Sequence, residues 1–322
     1  MRVLVTGASG FIGRAVTRAL RDAGMDVTVA LRRADTSASL PADIRAVAVG
    51  DIDGATDWGD ALQAVDRVIH LAGIAHQPIG EDAAPRYHAV NVEGTAALAR
   101  AAAAHGVRRL LFLSSVKVNG EETPERPFRE SDAPMPEDIY GRSKWQAEQR
   151  LADVAASGAM SFTVLRSPLV YGPGVGGNFA NLLRLCDTAL PLPFAAIANR
   201  RSLIARDNLV GAVLSCLDHP AAANETFLVR DGEDLATPAL VRRLRRALSR
   251  PARLFAVPTP LLITAGAVIG RSALVRRLTG SLAVDDSKLR TLIGWRPRVG
   301  VDAALTRTAE AFCRESNRNG DA

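Results

Sequence analysis

Short apolar runs alternate with helical patterns through the first half of the chain, and this alternation constrains the fold more than any other feature. Each run has five or six residues, the length and character of strands buried on both faces of a parallel sheet. Parallel strands need a crossover connection, usually a helix, so the alternation predicts an α/β fold with a doubly wound parallel sheet. The predicted strands are 2–6, 26–31, 45–49, 67–71, 109–114 and 161–166, and the predicted helices cover roughly 12–23, 58–65, 84–105 and 139–157.

A glycine-rich turn joins the first predicted strand to the first predicted helix. In the sequence VTGASGFIG, Gly7 permits a tight turn, Gly10 lets backbone N–H groups approach a pyrophosphate, and Gly13 allows close packing of helix on strand. The start of the helix then faces the anion. The turn predicts a dinucleotide site whose first contacts are Gly7, Ser9, Gly10, Phe11, Ile12 and Gly13.

The end of the second predicted strand carries Arg32 and Arg33, where a site for NAD usually has an acidic residue. An arginine fork accepts a 2′-phosphate that a carboxylate would repel. These residues favour NADP(H), with NAD(H) as the alternative if both arginines are only solvated loop residues. Asp51, after the third predicted strand, is a candidate acceptor for the adenine amine or a simple turn residue.

The rhythm changes after Arg166, where the proline- and glycine-rich segment SPLVYGPGVGG begins. We expect a dinucleotide-binding domain over 1–170 and a smaller, mainly substrate-binding part over 171–322, with elements near 200–230 returning to the first domain. The second part is predicted to contain helices near 178–188, 207–218, 236–249 and 302–315 and a strand at 225–229.

The longest apolar stretch, roughly 254–270, is interrupted by Pro258 and Pro260. The residues that follow these prolines are too few to span a bilayer. We expect a buried or interface helix there rather than a helix resting on a membrane, and no stable membrane insertion.

Composition excludes several classes of function. The net charge is +6, but the arginines that supply it are scattered and lack interleaved aromatic residues, which argues against nucleic-acid binding. Cys186, Cys216 and Cys313 are widely separated and give neither a disulfide framework nor metal-ligand spacing. The first residues lack the apolar region of a secretory signal. We therefore expect a cytoplasmic protein without a bound metal.

Tyr140 and Lys144 are four residues apart in a predicted helix and so share one face. A free tyrosine has a pKa near ~10, and a nearby cation lowers that pKa towards working pH. Ser115 lies 25 positions before Tyr140, at the end of an apolar run. Alone, the pair fits a surface aromatic–lysine contact better, but behind a dinucleotide turn it indicates an acid–base site.

Several motifs carry a resemblance to a known family: T-G-x-x-G-x-x-G at 6–13, Asp51, His70-Leu71-Ala72-Gly73, Asn91, Ser114-Ser115, Tyr140 with Lys144, and Tyr171-Gly172-Pro173-Gly174. With this spacing, nearly the whole chain resembles the extended short-chain dehydrogenase/reductase family, which has a Rossmann fold. The resemblance implies that Ser115 holds the reacting oxygen, Tyr140 transfers the proton, and Lys144 binds the nicotinamide ribose and lowers the pKa of the tyrosine. It also implies a homodimer formed through the helices near 84–105 and 139–157, and the cofactor contacts Leu71, Ala72, Gly73, Asn91, Pro168 and Val170.

The second half of the chain resembles family members that act on nucleotide sugars, which implies a UDP-sugar substrate. By this resemblance Asn178 and Arg201 contact the diphosphate, and Arg277 or its neighbour Arg276 supplies a second phosphate contact. The other substrate-binding candidates are Ser114, Lys117 and Asp285. Alternatives remain open, since Arg201 could instead cap a sheet edge and Lys117 could point to solvent.

Family members divide by reaction. Dehydratases carry Asp-Glu directly after the catalytic serine or threonine, whereas this chain has Val116 and Lys117, which argues against dehydration. Arg32 and Arg33 favour a reductase that consumes NADPH over a UDP-sugar 4-epimerase that keeps NAD bound.

The segment 111–121 resembles bacterial enzymes that reduce the C4 ketone of UDP-4-keto-6-deoxy-N-acetylglucosamine for O-antigen lipopolysaccharide. That resemblance implies N-acetylquinovosamine or N-acetylfucosamine as the product sugar and leaves the C4 stereochemistry open. Reductases of steroids or flavonoids and a non-catalytic NADP-sensing regulator remain as alternatives.

Overall fold

A single seven-stranded parallel sheet forms the centre of the protein. The computed structural model describes residues 1–33, 41, 43–75, 83–123 and 125–320, with side chains described up to 316. The sheet has the order β3-β2-β1-β4-β5-β6-β9, and every neighbouring pair is parallel. Its strands are β1 (Arg2–Thr6), β2 (Asp26–Leu31), β3 (Arg45–Ala48), β4 (Arg67–His70), β5 (Arg109–Ser115), β6 (Ser161–Ser167) and β9 (Glu225–Leu228). The predicted doubly wound sheet is confirmed, and its first six strands end within one residue of the prediction.

Helices cover both faces of this sheet, and a smaller sheet lies in the second half of the chain. In the small sheet, of order β10-β8-β7, β8 (Arg201–Ala205) is parallel to β7 (Leu169–Tyr171) and antiparallel to β10 (Asp234–Leu235). The helices are α1 (Phe11–Asp22), α2 (Ala83–Tyr87), α3 (Gly94–Ala104), α4 (Ile139–Ala155), α5 (Gly177–Asp187), α6 (Arg206–Leu217), α7 (Thr237–Ala247), α8 (Thr259–Val268), α9 (Ser272–Thr279), α10 (Ser287–Leu292) and α11 (Val301–Gly320).

Side-chain alternation along the central strands divides the core into two layers. Val3 and Val5 of β1 pack on one face with α1 and α6, whereas Leu4 packs on the other face with α3 and α4. Because both faces are buried, the strands read as continuous apolar runs. Thus β9 is part of the central sheet and α6 packs in its core, although both follow the predicted domain boundary at 170/171. The division into two domains itself stays a prediction.

The predicted helix at 58–65 is wrong. The structure has only a short 3-10 helix at Asp60–Leu62. Trp58 is buried, and Ala64 adopts a left-handed conformation with φ of 56°, which ends the helical path. The predicted helix at 84–105 forms as α2 and α3 joined by a π-helical turn, His88–Glu93.

The apolar stretch near 254–270 forms an exposed helix rather than a buried one. Within α8 only Gly266 is buried, where it packs against Val275 of α9. Leu262 and Leu278 connect this helix pair to the core of the second half. Among the described residues, no helix is long and apolar enough to cross a membrane.

Candidate active site

The glycine turn brings the end of β1, the start of α1 and the loop after β4 together. Gly7 has φ of +69°, and a Cβ there would lie 2.7 Å from the amide nitrogen of Ala72. A Cβ on Gly13 would lie 2.0 Å from the carbonyl oxygen of Gly7. Gly10 donates its N–H to the same carbonyl, at 3.0 Å, and closes the turn.

This turn fits a dinucleotide pyrophosphate. Gly10 directly precedes α1 and no side chain caps the helix, so its first N–H groups are open to an anion. Ser9 and Gly10 are exposed, and Phe11 and Ile12 are partly exposed beside them. All of the predicted first contacts except the buried Gly13 are therefore at least partly accessible at this edge of the sheet.

The adenosine end of the predicted site carries an exposed ion pair. The Nε of Arg32 lies 2.8 Å from Oδ1 of Asp51, and the two side chains are 72% and 81% exposed. A pair this exposed contributes at most about 1 kcal/mol, so Arg32 is readily available to another anion. Arg32 and Asp51 thus lie together and Arg33 follows in the chain, while their contacts with the cofactor stay predictions.

His70 links three elements beneath the cofactor loop. Its Nδ1 is 2.7 Å from Oγ1 of Thr6 on β1, and its Nε2 is 3.0 Å from Oγ1 of Thr95 on α3. Burial, followed by the nearby charge of Lys144, lowers the pKa of His70 to about 3. The ring is therefore neutral at physiological pH and acts as a fixed hydrogen-bonding spacer.

Asn91 holds the loop that follows β4. Its side chain accepts the N–H of Ile74 at 2.8 Å and donates to the carbonyl of Ile74 at 3.0 Å and to Oγ of Ser143 at 2.9 Å. The buried amide therefore fixes Leu71, Ala72 and Gly73 against α4. The polar atoms of Asn91 are thus committed to this loop and to Ser143, and its contact with the cofactor stays a prediction.

Ser115 and Tyr140 meet at the carboxyl end of β5. Ser115 is the last residue of that strand, and its hydroxyl accepts the N–H of Lys117 at 3.2 Å and lies close enough to Tyr140 to lower the pKa of its phenol. Asp138 caps α4 by accepting the N–H of Gly141 at 2.7 Å, which places Tyr140 in the first turn. The structure therefore brings together the two hydroxyl groups that the sequence assigned to catalysis.

Lys144 lies one turn further along α4 and is buried. Its Nζ donates to the carbonyl of Leu113 at 3.0 Å and lies 4.4 Å from the ring centre of Phe112. Burial lowers its pKa to about 8, while the carboxylate of Glu148 acts in the opposite direction. The site thus holds a lysine that loses its proton unusually easily.

The predicted lowering of the Tyr140 pKa is wrong for this structure. Burial raises the pKa of Tyr140 to about 12, and the hydrogen bond with Ser115 offsets only part of that effect. Asp138 and Tyr87 raise the pKa further, because negative charge disfavours the phenolate. Tyr140 therefore carries its proton at neutral pH.

A buried ion pair behind the catalytic residues was not predicted. The carboxylate of Glu148 accepts two N–H groups of Arg166, at 3.1 Å from Nε and 2.6 Å from Nη2, and each side chain is 4% exposed. Ser114 also donates its hydroxyl to Glu148. A signal was present, since Glu148 lies four residues after Lys144 and so shares its helix face.

The placement of Ser114 argues against its predicted contact with substrate. Its side chain is buried and bonded to Glu148, on the opposite face of β5 from that of Ser115. The remaining nicotinamide candidates, Pro168 and Val170, follow β6 at the same edge of the sheet; Pro168 is buried and Val170 packs on the core.

The side chain of Lys117 is directed to carboxylates. Its Nζ is 2.9 Å from Oε1 of Glu121 and also binds Asp138, the cap of α4. These partners raise the pKa of Lys117 despite its burial. In this structure Lys117 ties the residues after Ser115 to the start of α4 with its side chain 26% exposed, and its contact with substrate stays a prediction.

Two of the predicted phosphate contacts lie together. Arg201 is largely buried and donates to the carbonyl of Gly280 at 3.0 Å, and its pKa is lowered by burial and by the positive charge of Arg277. Asn178 is exposed in the first turn of α5. Asp285 accepts the N–H and hydroxyl of Ser287 at the start of α10 and lies 3.4 Å from Arg129, and its contact with substrate stays a prediction.

Metal ligands and disulfides are not part of the described site. The part of the chain that the structure describes contains no group of three or more His, Cys, Asp or Glu residues arranged to hold a metal ion. Cys186, Cys216 and Cys313 are free thiols, and burial raises the pKa of the first two to about 12.

Comparison with known proteins identifies the family. Residues 3–229 match the NAD dependent epimerase/dehydratase family. A UDP-glucose 4-epimerase of Vibrio cholerae is 40% identical over 98% of this chain and 97% of its own. An N-acetyl-α-D-glucosaminyl-diphospho-ditrans,octacis-undecaprenol 4-epimerase of Escherichia coli is 30% identical over 82% of this chain and 77% of its own.

A solved structure is also similar to this chain. A short-chain dehydrogenase/reductase superfamily protein from Agrobacterium tumefaciens with bound NAD has a TM-score of 0.79, with 25% identity over 100% of both chains. The family match covers well over half of the sequence and includes the glycine turn, Ser115, Tyr140 and Lys144. The chain therefore belongs to the NAD dependent epimerase/dehydratase family.

Proposed function

We propose that this protein transfers a hydride at C4 of a UDP-linked hexose, and that its net reaction is the NADPH-dependent reduction of a UDP-4-keto-6-deoxy-N-acetylhexosamine. The observation that carries the proposal is the cluster of Ser115, Tyr140 and Lys144 at the end of β5, with Tyr140 protonated. Such a cluster supplies a positioned proton beside a dinucleotide turn.

The cofactor, when bound, supplies the hydride, and the chain's own residues handle the proton. Ser115 lies beside Tyr140 and lowers the pKa of its phenol, so a carbonyl oxygen that accepts from Ser115 would also come within reach of the phenol. Tyr140 then donates its proton to the developing alkoxide. Lys144 supplies positive charge from a buried position beside the cofactor loop, where it would hold the nicotinamide ribose.

The proposed diphosphate contacts are two arginines of like charge. Arg277 lowers the pKa of Arg201, so two guanidinium groups repel one another with only Glu122 acting in the opposite direction. A diphosphate between them would relieve that repulsion and form charge-assisted hydrogen bonds. Both curated relatives bear names of sugar diphosphate 4-epimerases, which is consistent with this chemistry. An apolar steroid or flavonoid would leave the two charges unsatisfied.

The choice of NADPH depends on the end of β2. Arg32 is exposed there, and its only carboxylate partner among the described residues is Asp51, in an exposed pair. A 2′-phosphate can replace that weak contact. A cofactor drawn from the NADPH pool suits net reduction.

A UDP-sugar 4-epimerase is the second candidate, because the relative from Vibrio cholerae bears that name at 40% identity. An epimerase removes and returns the same hydride and consumes no cofactor. A homodimer through α3 and α4 remains a prediction for either reaction.

The deciding experiment is a reaction balance. Purified protein is incubated with UDP-4-keto-6-deoxy-N-acetylglucosamine and either NADPH or NADH, and separately with UDP-glucose or UDP-N-acetylglucosamine alone. The reductase forms one 4-hydroxy product for each NADPH oxidised, and NMR then assigns C4. Interconversion of the C4 epimers without cofactor consumption would establish the epimerase, and no turnover on any sugar would favour a regulatory role.

Two variants test the residues. Arg32→Asp should lower kcat/KM for NADPH by about 10–100-fold, through loss of a charge-assisted contact and added repulsion, and change that for NADH far less. Arg21→Asp, at the far end of α1, is the matched charge control. Tyr140→Phe should bind NADPH normally and lose about 10²–10⁴-fold in turnover. Equal use of the two cofactors by the unmodified protein would remove the argument for NADPH.

A further inference from the structure

An exposed apolar surface lies on the helix pair α8–α9 and on Phe255, just before it. Eleven large apolar side chains are exposed among the described residues, and six of them lie on this surface: Phe255, Leu261, Ile263, Val268, Ile269 and Leu274. Val268 is 82% exposed and Ile269 is 66% exposed. A helix as apolar as α8 is normally buried on all sides, so we expect a binding partner to cover these exposed side chains.

The helix pair is held in place from within. Gly266 of α8 packs so closely on Val275 of α9 that a Cβ would lie 2.5 Å from Cγ2 of that valine. Leu262 and Leu278 contact the core of the second half, and Thr237 donates its hydroxyl to the carbonyl of Leu278 at 2.6 Å. The exposed side chains therefore project from an anchored element.

The segment that carries this surface has charges of one sign. Between Leu235 and Val284 the chain contains nine arginines and no aspartate or glutamate. Four of these arginines, Arg253, Arg271, Arg276 and Arg277, flank the apolar side chains and are exposed. In the described part of the chain none of the four forms an ion pair with a carboxylate.

We propose that α8–α9 and Phe255 dock on the surface of an anionic lipid bilayer. Apolar side chains on such an element enter the boundary between headgroups and acyl chains, and arginines beside them reach the lipid phosphates. A second copy of this surface is a poorer occupant, since it would bring eight arginines of like charge together without carboxylates. No described helix can cross the membrane, so the pair would rest on it.

Docking would place the bilayer next to the proposed phosphate contacts. The end of α9 leads directly to Gly280, whose carbonyl accepts a hydrogen bond from Arg201 at 3.0 Å. The inference does not depend on the proposed reaction, because lipid binding is measured without substrate or cofactor.

Flotation with lipid vesicles tests the proposal. The full chain should float with vesicles of equal parts phosphatidylglycerol and phosphatidylcholine, and bind at least about tenfold less to phosphatidylcholine alone. The double variant Val268→Asp/Ile269→Asp should lose at least about tenfold in binding, because two inserted side chains become anionic. Met135→Asp, at a site that is 71% exposed elsewhere, is the matched control and should bind like the unmodified protein.

A second pair of changes separates charge from apolar contact. Arg271→Gln with Arg276→Gln should lower binding to anionic vesicles by about 30-fold, roughly fivefold for each charge near the surface. Circular dichroism and melting temperature confirm folding of each variant. Absence of vesicle binding, equal binding to neutral vesicles, or unchanged binding by the Val268/Ile269 variant would overturn the proposal. A change of oligomeric state in that variant, without vesicle binding, would assign the surface to a second copy instead.

Discussion

Glu148→Gln is the most informative single change, because it removes one charge from a buried pair and preserves the shape of the side chain. The carboxylate lies on α4, accepts two N–H groups of Arg166 and the hydroxyl of Ser114, and is 4% exposed. Glutamine offers one acceptor oxygen in place of two and turns an N–H₂ group towards donors. Arg166 would then be a buried charge without a counter-ion.

The expected loss is about 3–5 kcal/mol in the free energy of unfolding, the range for breaking a buried pair from one side. Adding the three hydrogen bonds separately would give more, but those bonds share a single carboxylate and are not additive. Against a typical total stability of about 5–15 kcal/mol, this is a large fraction. The change also removes the one charge that raises the pKa of Lys144, so that pKa should fall further below about 8.

Urea unfolding of the cofactor-free protein measures the effect in a double-mutant cycle of Glu148→Gln, Arg166→Met and both together. The double variant should recover at least about 2 kcal/mol relative to additivity, because neither charge then remains buried alone. Glu233→Gln is the matched control: Glu233 pairs with Arg243 at 2.8 Å but its side chain is 45% exposed, so the loss should stay below about 1 kcal/mol. If Glu148→Gln destabilises no more than Glu233→Gln, or the two changes at the buried pair are additive, the reasoning from burial is refuted.

Three further predictions concern the same edge of the sheet. Gly13→Ala places a Cβ 2.0 Å from the carbonyl oxygen of Gly7, so the turn must open to relieve the overlap. NADPH binding, measured by fluorescence titration, should weaken at least about tenfold. The control Gly300→Ala adds its Cβ in open space and should leave NADPH binding unchanged. Lys144→Met should abolish turnover yet raise the free energy of unfolding by about 1–3 kcal/mol at pH 7, measured in urea. The pKa of Lys144 is about 8 in the folded protein and 10.5 ordinarily, so keeping its charge buried is unfavourable, and a destabilised variant would contradict this. The pKa of His70 is about 3 in the folded protein and 6.5 in the unfolded chain, so the unfolded chain binds more protons between these pH values. The free energy of unfolding should therefore fall as the pH drops from 6.5 towards 3. His70→Gln should make this pH dependence shallower in urea unfolding.

The central sheet could be predicted because its strands are buried on both faces and therefore read as uninterrupted apolar runs. The failure at 58–65 has a local cause. The segment DWGDALQA suggests a helix by composition, but Trp58 is fixed in the core and Ala64 adopts a left-handed conformation. Neither tertiary burial nor a single unusual φ angle is visible in a propensity pattern.

In the site, positions were predictable and protonation was not. The spacing of Tyr140 and Lys144 placed both on one face of α4, next to Ser115 at the end of β5. The pKa of Tyr140 depends on how much of the surrounding space excludes water, which spacing does not report. The exposure of α8 was missed for a similar reason, because an apolar sequence does not reveal whether another part of the chain covers it.

The protonation of the site bears on the direction of the reaction. Burial raises the pKa of Tyr140 to about 12 and lowers that of Lys144 to about 8, so it favours the neutral form of each. Relative to a free tyrosine, the phenolate is disfavoured by about 2 pKa units, or about 3 kcal/mol. Reducing a ketone needs the phenol as an acid, whereas an epimerase must use the same residue as base and acid in every turnover. A site that holds the proton this firmly favours the reductive half of that chemistry. The rate of ketone reduction should therefore stay level from pH 6 to pH 7 and fall to about half by pH 8 as Lys144 loses its proton, while oxidation of the corresponding alcohol should rise with pH from pH 6 to pH 7.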